Sequence, residues 1–293
     1  MKNLFILSLI VLTASCENQT KVNLDKKPFE KSERTKESET TAKNISISKT
    51  DTLINDLKSE ITEVKESKLT TDNQTEVVNI HDYILYKDFL KKYVSSNGRV
   101  NYAEIKKNET ELNDLVMLFK SNFIDKSWTK NEQLSYWINT YNLFTIQLII
   151  QNYPTTSITK ISSKPWDIHF INLNGNKYSL NQIENEIIRK QFNEPRIHFA
   201  LNCASKSCPI LLNKPFTPQN LNSLLTEQTK RFLNDSSKNS FDSNSIQISS
   251  IFDWYKIDFD SQGGVINFIN KYTTRNLESQ KISFMEYSWE LND

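Results

Sequence analysis

Residues 196–209 hold most of the side chains in this chain that could do chemistry. Arg196, His198, Asn202, Cys203 and Cys208 fall within one short stretch, so a base, an amide and two thiols lie close together in sequence. Read as a strand that runs into a polar loop, Arg196, His198, Ala200 and Asn202 point to one face and Ile197, Phe199, Leu201 and Cys203 to the other. Three chemistries fit these residue types. Cys203 and Cys208, separated by four residues, could close a disulfide if their Cα atoms come within ~7 Å. One thiol could be a nucleophile, with His198 or His169 as base and Asn202 or Glu184 as orienter. A cation such as Arg196 or Lys206 would then lower its pKa. Strand parity separates His198 from Cys203 and leaves Cys208 freer to meet the base. The third chemistry, a zinc site of His198, Cys203 and Cys208, lacks any short-spaced Cys/His pair, and no metal is expected.

A second polar group lies in Trp137-Ile138-Asn139-Thr140-Tyr141-Asn142. Asn139 and Asn142 are three residues apart and share one helix face. Asparagine is mildly unfavourable inside a helix, so two of them among aromatics point to buried amides tied to loop backbone. A substrate-binding amide is the alternative. His81 reads as exposed, His169 as a core or edge residue, and Asp258 and Asp260 as turn caps.

The elements that must place these groups carry local signals. Thr129 and Glu132 form a capping box before Leu134, Trp137, Ile138, Tyr141, Thr145 and Leu148, and that helix should stop by Tyr153-Pro154. Ser179 and Gln182 form another, ahead of Leu180, Ile183 and Ile187. Thr217-Pro218 starts a third helix, with Leu221, Leu224, Leu225 and Phe232 on one side. Strands are predicted at residues 168–173, 196–202, 246–249 and 281–287, with a turn at Asn174-Gly175. The expected fold is α+β, a single compact domain over 77–293 of several helices packed on a small, mainly antiparallel sheet.

The N-terminal quarter reads differently. Lys2 precedes a nine-residue, mainly apolar run, Leu4 to Leu12, too short to span a bilayer as a helix. Thr13-Ala14-Ser15-Cys16 follows, and this resembles the lipobox of bacterial lipoproteins. Leu12 lies one position early, with Thr13 in its usual place. The expectation is a signal peptide over 1–15 and a lipid such as palmitate on Cys16 as membrane anchor. Residues 16–76 are rich in Lys, Glu, Ser, Thr and Asn, with Phe29 as their one aromatic residue, and read as a disordered tether. A short stripe of Ile54, Leu57, Ile61 and Val64 within it is too brief for a coiled coil. The protein is thus expected in the bacterial cell envelope, extracytoplasmic and membrane-anchored through Cys16.

Composition removes several classes. Lys+Arg number 36 and Asp+Glu 35, so no basic excess favours nucleic acid. Four glycines, Gly98, Gly175, Gly263 and Gly264, build neither a dinucleotide fingerprint nor a phosphate-binding loop. No cofactor is implied. The partner beyond the membrane is an unidentified protein or small molecule.

Several motifs in order also resemble the family catalogued as domain of unknown function 547. They are Tyr136–Asn142, Tyr153-Pro154 with Ser157-Ile158, Tyr178-Ser179-Leu180 with Ile183-Glu184, and Pro195–Ser205 through Ser207-Cys208-Pro209. Phe252-Asp253-Trp254-Tyr255 with Asp258-Phe259 and Tyr287–Asn292 complete the set. The resemblance implies bacterial envelope proteins and plant fusions, and no agreed activity. The family usually has Ile-Glu-His where this chain has Ile183-Glu184-Asn185, and an amide cannot titrate as a histidine does. The element order is also faintly similar to transglutaminase or papain-like folds, whose helix cysteine is missing here. Two functions follow as expectations. One is a noncatalytic binding or structural envelope domain. The other is a thiol-dependent hydrolase or acyl transferase using Cys208 or Cys203 with His198.

Overall fold

A helix with seventeen consecutive buried residues, Leu134 to Ile150, must lie at the centre of whatever surrounds it. In the computed structural model, which describes residues 80–293 apart from 243–244 and 279–280, this is the helix Lys130–Gln151. Chain contacts divide the protein into Met1–Asn73 and Gln74–Asp293, and every described residue falls in the second unit. The signal peptide, Cys16, the tether and the Ile54–Val64 stripe lie outside the described residues.

The capping box that starts the long helix is formed: Glu132 N donates to Thr129 Oγ1 at 3.3 Å, and Thr129 N to the Glu132 carboxylate at 2.6 Å. The expected single apolar stripe is instead a helix buried on all sides. Helices Ile84–Tyr93, Tyr102–Lys107 and Glu109–Ser121 cover one part of it and bring Tyr86, Phe89, Leu112 and Phe119 into the core. A second core is built on Phe199, with Phe232, Phe252, Phe259 and Phe268 around it.

The fold is α+β, with two small sheets rather than one. β1 (Ile171–Leu173) and β2 (Asn176–Tyr178) form an antiparallel hairpin around Asn174-Gly175, both with positive φ. β3 (Ser240–Asp242), β4 (Ser245–Ser249) and β5 (Ile282–Met285) form the second sheet, in which β3–β4 is antiparallel and β4–β5 parallel. The strand expected over 168–173 therefore occupies only its last three residues.

One predicted strand is not a strand. Residues Pro195–Phe199 wind as a 3-10 turn. Pro195 stands at its first position, and Glu194 caps it by accepting from Arg196 N at 3.2 Å. The apolar alternation there reflects burial at the seam of the two cores. Phe199 enters one, while Ala200 and Leu201 enter the other. The segment after Ser179 also departs from expectation. Its capping box is present, with Gln182 N on Ser179 Oγ at 3.2 Å and Ser179 N on Gln182 Oε1 at 3.1 Å. The turns that follow, Gln182–Ile188, are a π-helix, seen in the Arg189 N bond to Glu184 O five residues back. The helix after Thr217-Pro218 begins at Leu221 and runs to Leu233. Ahead of it Thr217 N donates to Asn220 Oδ1 and Asn220 N to Thr217 Oγ1.

Asn139 and Asn142 join the long helix to the chain around the thiols. Asn139 gives Nδ2 to Phe216 O at 2.6 Å and takes Phe216 N at 3.0 Å. Asn142 gives Nδ2 to Ala200 O at 3.0 Å and takes Asn202 N at 2.8 Å. Asn142→Ala would strand two buried backbone groups, at ~1–3 kcal/mol each. Urea unfolding is expected to show a loss of about 2–4 kcal/mol. A loss under about 0.5 kcal/mol, the range of ordinary surface changes, would mean the tie carries no weight.

Candidate active site

A cavity of about 410 Å³ opens beside the segment that follows the 3-10 turn. Its walls include Cys203, Cys208, His198, Glu184, Asn185 and Tyr255. Residues that strand parity would separate thus face one space. The 3-10 turn breaks the alternation between His198 and Cys203.

Asn202 shapes the thiol loop. Its Nδ2 donates to Pro209 O at 2.7 Å, and its Oδ1 accepts Ala204 N at 3.0 Å and Asn292 Nδ2 at 3.3 Å. Asn202 is buried and fully engaged with loop backbone and the C-terminal segment. This is the geometry of a brace, not of an orienter of His198. The loop is also bound to the C-terminal segment, with Lys206 N on Glu290 O at 2.8 Å and Ser288 N on Ser207 Oγ at 2.8 Å.

Both sulfurs are free thiols in this structure, not the disulfide weighed from the sequence. They touch through the backbone, since Cys203 N donates to Cys208 Sγ at 2.9 Å. Cys208 is buried, whereas Cys203 is partly open to the cavity. Cys203 Sγ also lies 3.2 Å from Ser205 Oγ and 3.3 Å from Tyr287 Oη. Burial pushes the Cys203 thiol up, but hydrogen bonding with Cys208, Ser205 and Tyr287 more than offsets it, and the net direction is down. Cys208 goes well up, first from burial and then from its bond to Cys203 and the Cys203 charge. The open sulfur is therefore the one favoured as thiolate.

Across the cavity His198 Nε2 meets Asp258 Oδ2 at 2.6 Å, and its ring stacks on Tyr255 with centroids 3.9 Å apart. Arg189 holds the same carboxylate with two bonds, Nε to Oδ2 at 2.6 Å and Nη2 to Oδ1 at 2.7 Å. Burial pushes the Asp258 carboxyl up. The His198 and Arg189 bonds overcome that and hold it well below the usual carboxylate range. Glu184 is buried and accepts Tyr255 Oη at 2.5 Å. Burial first, and then the Glu184 charge, push the Tyr255 phenol well up, so it stays a proton donor.

Asn185 stands where the resembling family usually has histidine. Its Oδ1 accepts Arg189 Nη1 at 2.6 Å and its Nδ2 donates to Asn181 Oδ1 at 2.5 Å. Asn181 in turn donates to Asp167 Oδ1 at 2.8 Å. A continuous polar chain therefore runs from Asp167 to His198 along the π-helix. It uses Asn185 as an amide relay rather than as a base.

Other sequence candidates lie elsewhere. Arg196 pairs with Glu194 and reaches Asn222 and Thr226, away from both thiols. Lys206 pairs with Glu290 at the surface. His169 is exposed and outside the cavity wall. His81 packs its ring on Trp128 with centroids 4.2 Å apart. Among the described residues no group of three or more His, Cys, Asp or Glu side chains is arranged to hold a metal ion. The proposed zinc set of His198, Cys203 and Cys208 is likewise not assembled, His198 Nε2 being taken by Asp258. Sequence reading assigned Asp258 to a turn cap and passed over Arg189, Ser205, Tyr255 and Tyr287. Their partners are 60 or more residues away in most cases, as with Asp258 and His198, and no local spacing signals them.

Asp258 gives a signed pH prediction. Its folded carboxyl is depressed, so its contribution to stability is full above the ordinary aspartate value near ~3.9 and fades as pH falls below it. Thermal unfolding from neutral pH to pH ~2 should show Asp258→Asn less stable at neutral pH. The gap from the parent should narrow below pH ~4. A gap that stays constant with pH would rule out the charged pair as its source.

No curated protein and no solved structure matches the chain. A family model described as "Protein of unknown function, DUF547" matches residues 126–233, a span that runs from the start of the long helix through the 3-10 turn and both thiols, and so supports the family resemblance drawn from the motifs.

Proposed function

We propose that this domain is a thiol-dependent hydrolase or acyl transferase, with Cys203 as nucleophile. One observation carries the reading: the thiol that is open to the cavity is the one whose pKa is lowered, and His198, held by Asp258, lines the same cavity. In the reaction the Cys203 sulfur attacks an acyl carbon. A C–S bond forms as the bond to the leaving oxygen or nitrogen breaks, and the leaving group takes up a proton. Water or a second acceptor then attacks the thioester, returning the sulfur and releasing the acyl product. His198, held by Asp258 and lining the same cavity, is the base that moves the proton in this scheme. Cys208 acts as a buried donor that stays protonated.

Two outcomes test this. Iodoacetamide should label Cys203 ahead of Cys208 in the native protein, with a rate midpoint below the ordinary thiol value of ~8.5. Tyr287→Phe, which removes one donor, should raise that midpoint. With p-nitrophenyl acetate, acetyl should appear on Cys203 and turn over, and Cys203→Ser should abolish both. A freely alkylated Cys203 that never acylates would favour the second reading, a noncatalytic binding domain. That reading is supported by the cavity itself, which is of ligand size.

The site is proposed to work outside the cytoplasm, on a chain anchored in the bacterial cell envelope by lipid on Cys16. The apolar run and the Ala14-Ser15-Cys16 sequence support this. Cys16→Ser is expected to abolish labelling by radioactive palmitate and to move the protein out of the membrane fraction. Unchanged membrane association would overturn the anchor.

A further inference from the structure

One aromatic side chain that lines the cavity is unusually exposed. Trp254 is 47% exposed, although an indole that size is ordinarily well covered. It ends the helix Ile251–Trp254 and lies nearly parallel to Trp289, with ring planes 14° apart and centroids at 5.8 Å. Tyr287 leans against both, at 4.8 Å from Trp254 and 4.5 Å from Trp289. Trp166 stands across the edge of Trp289 at 63° and 5.4 Å. All four rings line the cavity. Trp254, stacked on Trp289, is the one of the four that stays largely open, so the cluster offers a single aromatic shelf and not a cage closed around a point.

The polar groups next to the shelf are mostly acceptors. Glu184 receives Tyr255 on Oε1, and no hydrogen bond to its Oε2 is seen among the described residues. Asp167 receives Asn181 on one oxygen only. The Oδ1 atoms of Asn181 and Asn185 are already taken from within the protein. Lys164 is the one Lys or Arg among the residues that line the cavity. A bound molecule must therefore bring donors of its own and a flat apolar face. An anion would meet two carboxylates against one ammonium. A compact quaternary cation would find one aromatic face where it needs several.

We infer that the shelf is a binding site for the ring of a neutral sugar. The C–H face of a pyranose would lie on the open part of Trp254, which Trp289 backs, and its hydroxyls would donate to Glu184 and Asp167. The site shares one framework with the thiol. The C-terminal segment that carries Tyr287 and Trp289 is hydrogen-bonded to the Cys203–Cys208 loop. This inference rests on the same cavity as the proposed acyl chemistry, and it names the class of molecule that chemistry would serve.

The test uses the full chain carrying Cys203→Ser, so that failure of thiol chemistry cannot affect it. Tryptophan fluorescence and calorimetry would follow titration with cellobiose, maltose and the N-acetylglucosamine disaccharide. Tetramethylammonium and inorganic phosphate would be titrated in parallel. At least one sugar should bind saturably. Adding Trp254→Ala should weaken it by about tenfold, the scale of one good aromatic contact, and Trp254→Phe by less. Trp128→Phe, outside the cavity, should leave it unchanged. The inference is overturned if none of the three sugars saturates, if tetramethylammonium or phosphate binds instead, or if Trp254→Ala binds as well as its parent. Failure here with a working Cys203 in the wild-type chain would leave the acyl reading standing and move its substrate to another class.

Discussion

A carboxamide buried in a helix must find backbone to bond, and the molecule depends on how Asn139 and Asn142 do so. Each amide pairs in both directions with a segment far away in sequence, as two strands would. The segment from Ala200 to Asn202 has no sheet of its own, so Asn142 supplies the pairing that a neighbouring strand would give. Asn202 then continues the bracing into the Cys203–Cys208 loop. The thiols are thereby held against the most deeply buried helix, and a loop position acquires the rigidity of core. An apolar residue at either asparagine would fill the space but leave buried N–H and C=O groups without partners.

The second constraint is charge. Asp258 is shared by His198 and Arg189, and a carboxylate in that position needs both to remain ionised against partial burial. Arg189 is in turn steadied by Asn185, and Asn185 by Asn181, with Asn181 and Arg189 at the two ends of the π-helix and Asn185 within it. Residues 181, 185 and 189 bond to one another in four-residue steps, while Glu184 lines the cavity and accepts Tyr255. The two thiols divide a similar burden. Burial sets both upward, and the hydrogen bonds fall unequally, so that one proton is held tightly at Cys208 and the other loosely at Cys203. The uneven exposure of the pair, with Cys203 the more open, matches this division of the two protons.

Much of the scaffold was legible because its signals are local. Thr129 and Glu132 announce a helix start within four residues, and Ser179 and Gln182 do the same. Asn174-Gly175 marks a hairpin because few other pairs adopt positive φ so readily. The stretch 196–202 misled for a physical reason. Alternating burial imitates a strand wherever a non-strand segment is squeezed between two cores, and the opposing signs, Pro195 and the Glu194 cap, are individually weak. The long helix and its buried amides were legible, but its burial on all sides was not, since one apolar stripe marks only one covered face.

Residue identities alone determined the presence of two closely spaced thiols near a histidine, two paired amides, an uncharged balance unsuited to nucleic acid, and an N-terminal quarter unlike the rest. Spacing in the chain carries that information because caps, turns and apolar runs act over a few residues. Only the tertiary structure decided that His198 bonds Asp258 directly, with neither thiol in that bond. The same holds for Arg196 and His169, which stand apart from the site, and for Tyr287 and Trp289, which reach the cavity from the far end of the chain. Those outcomes rest on contacts between residues about 60 to 90 positions apart, and such contacts exist only once the two cores have closed on the segment between them.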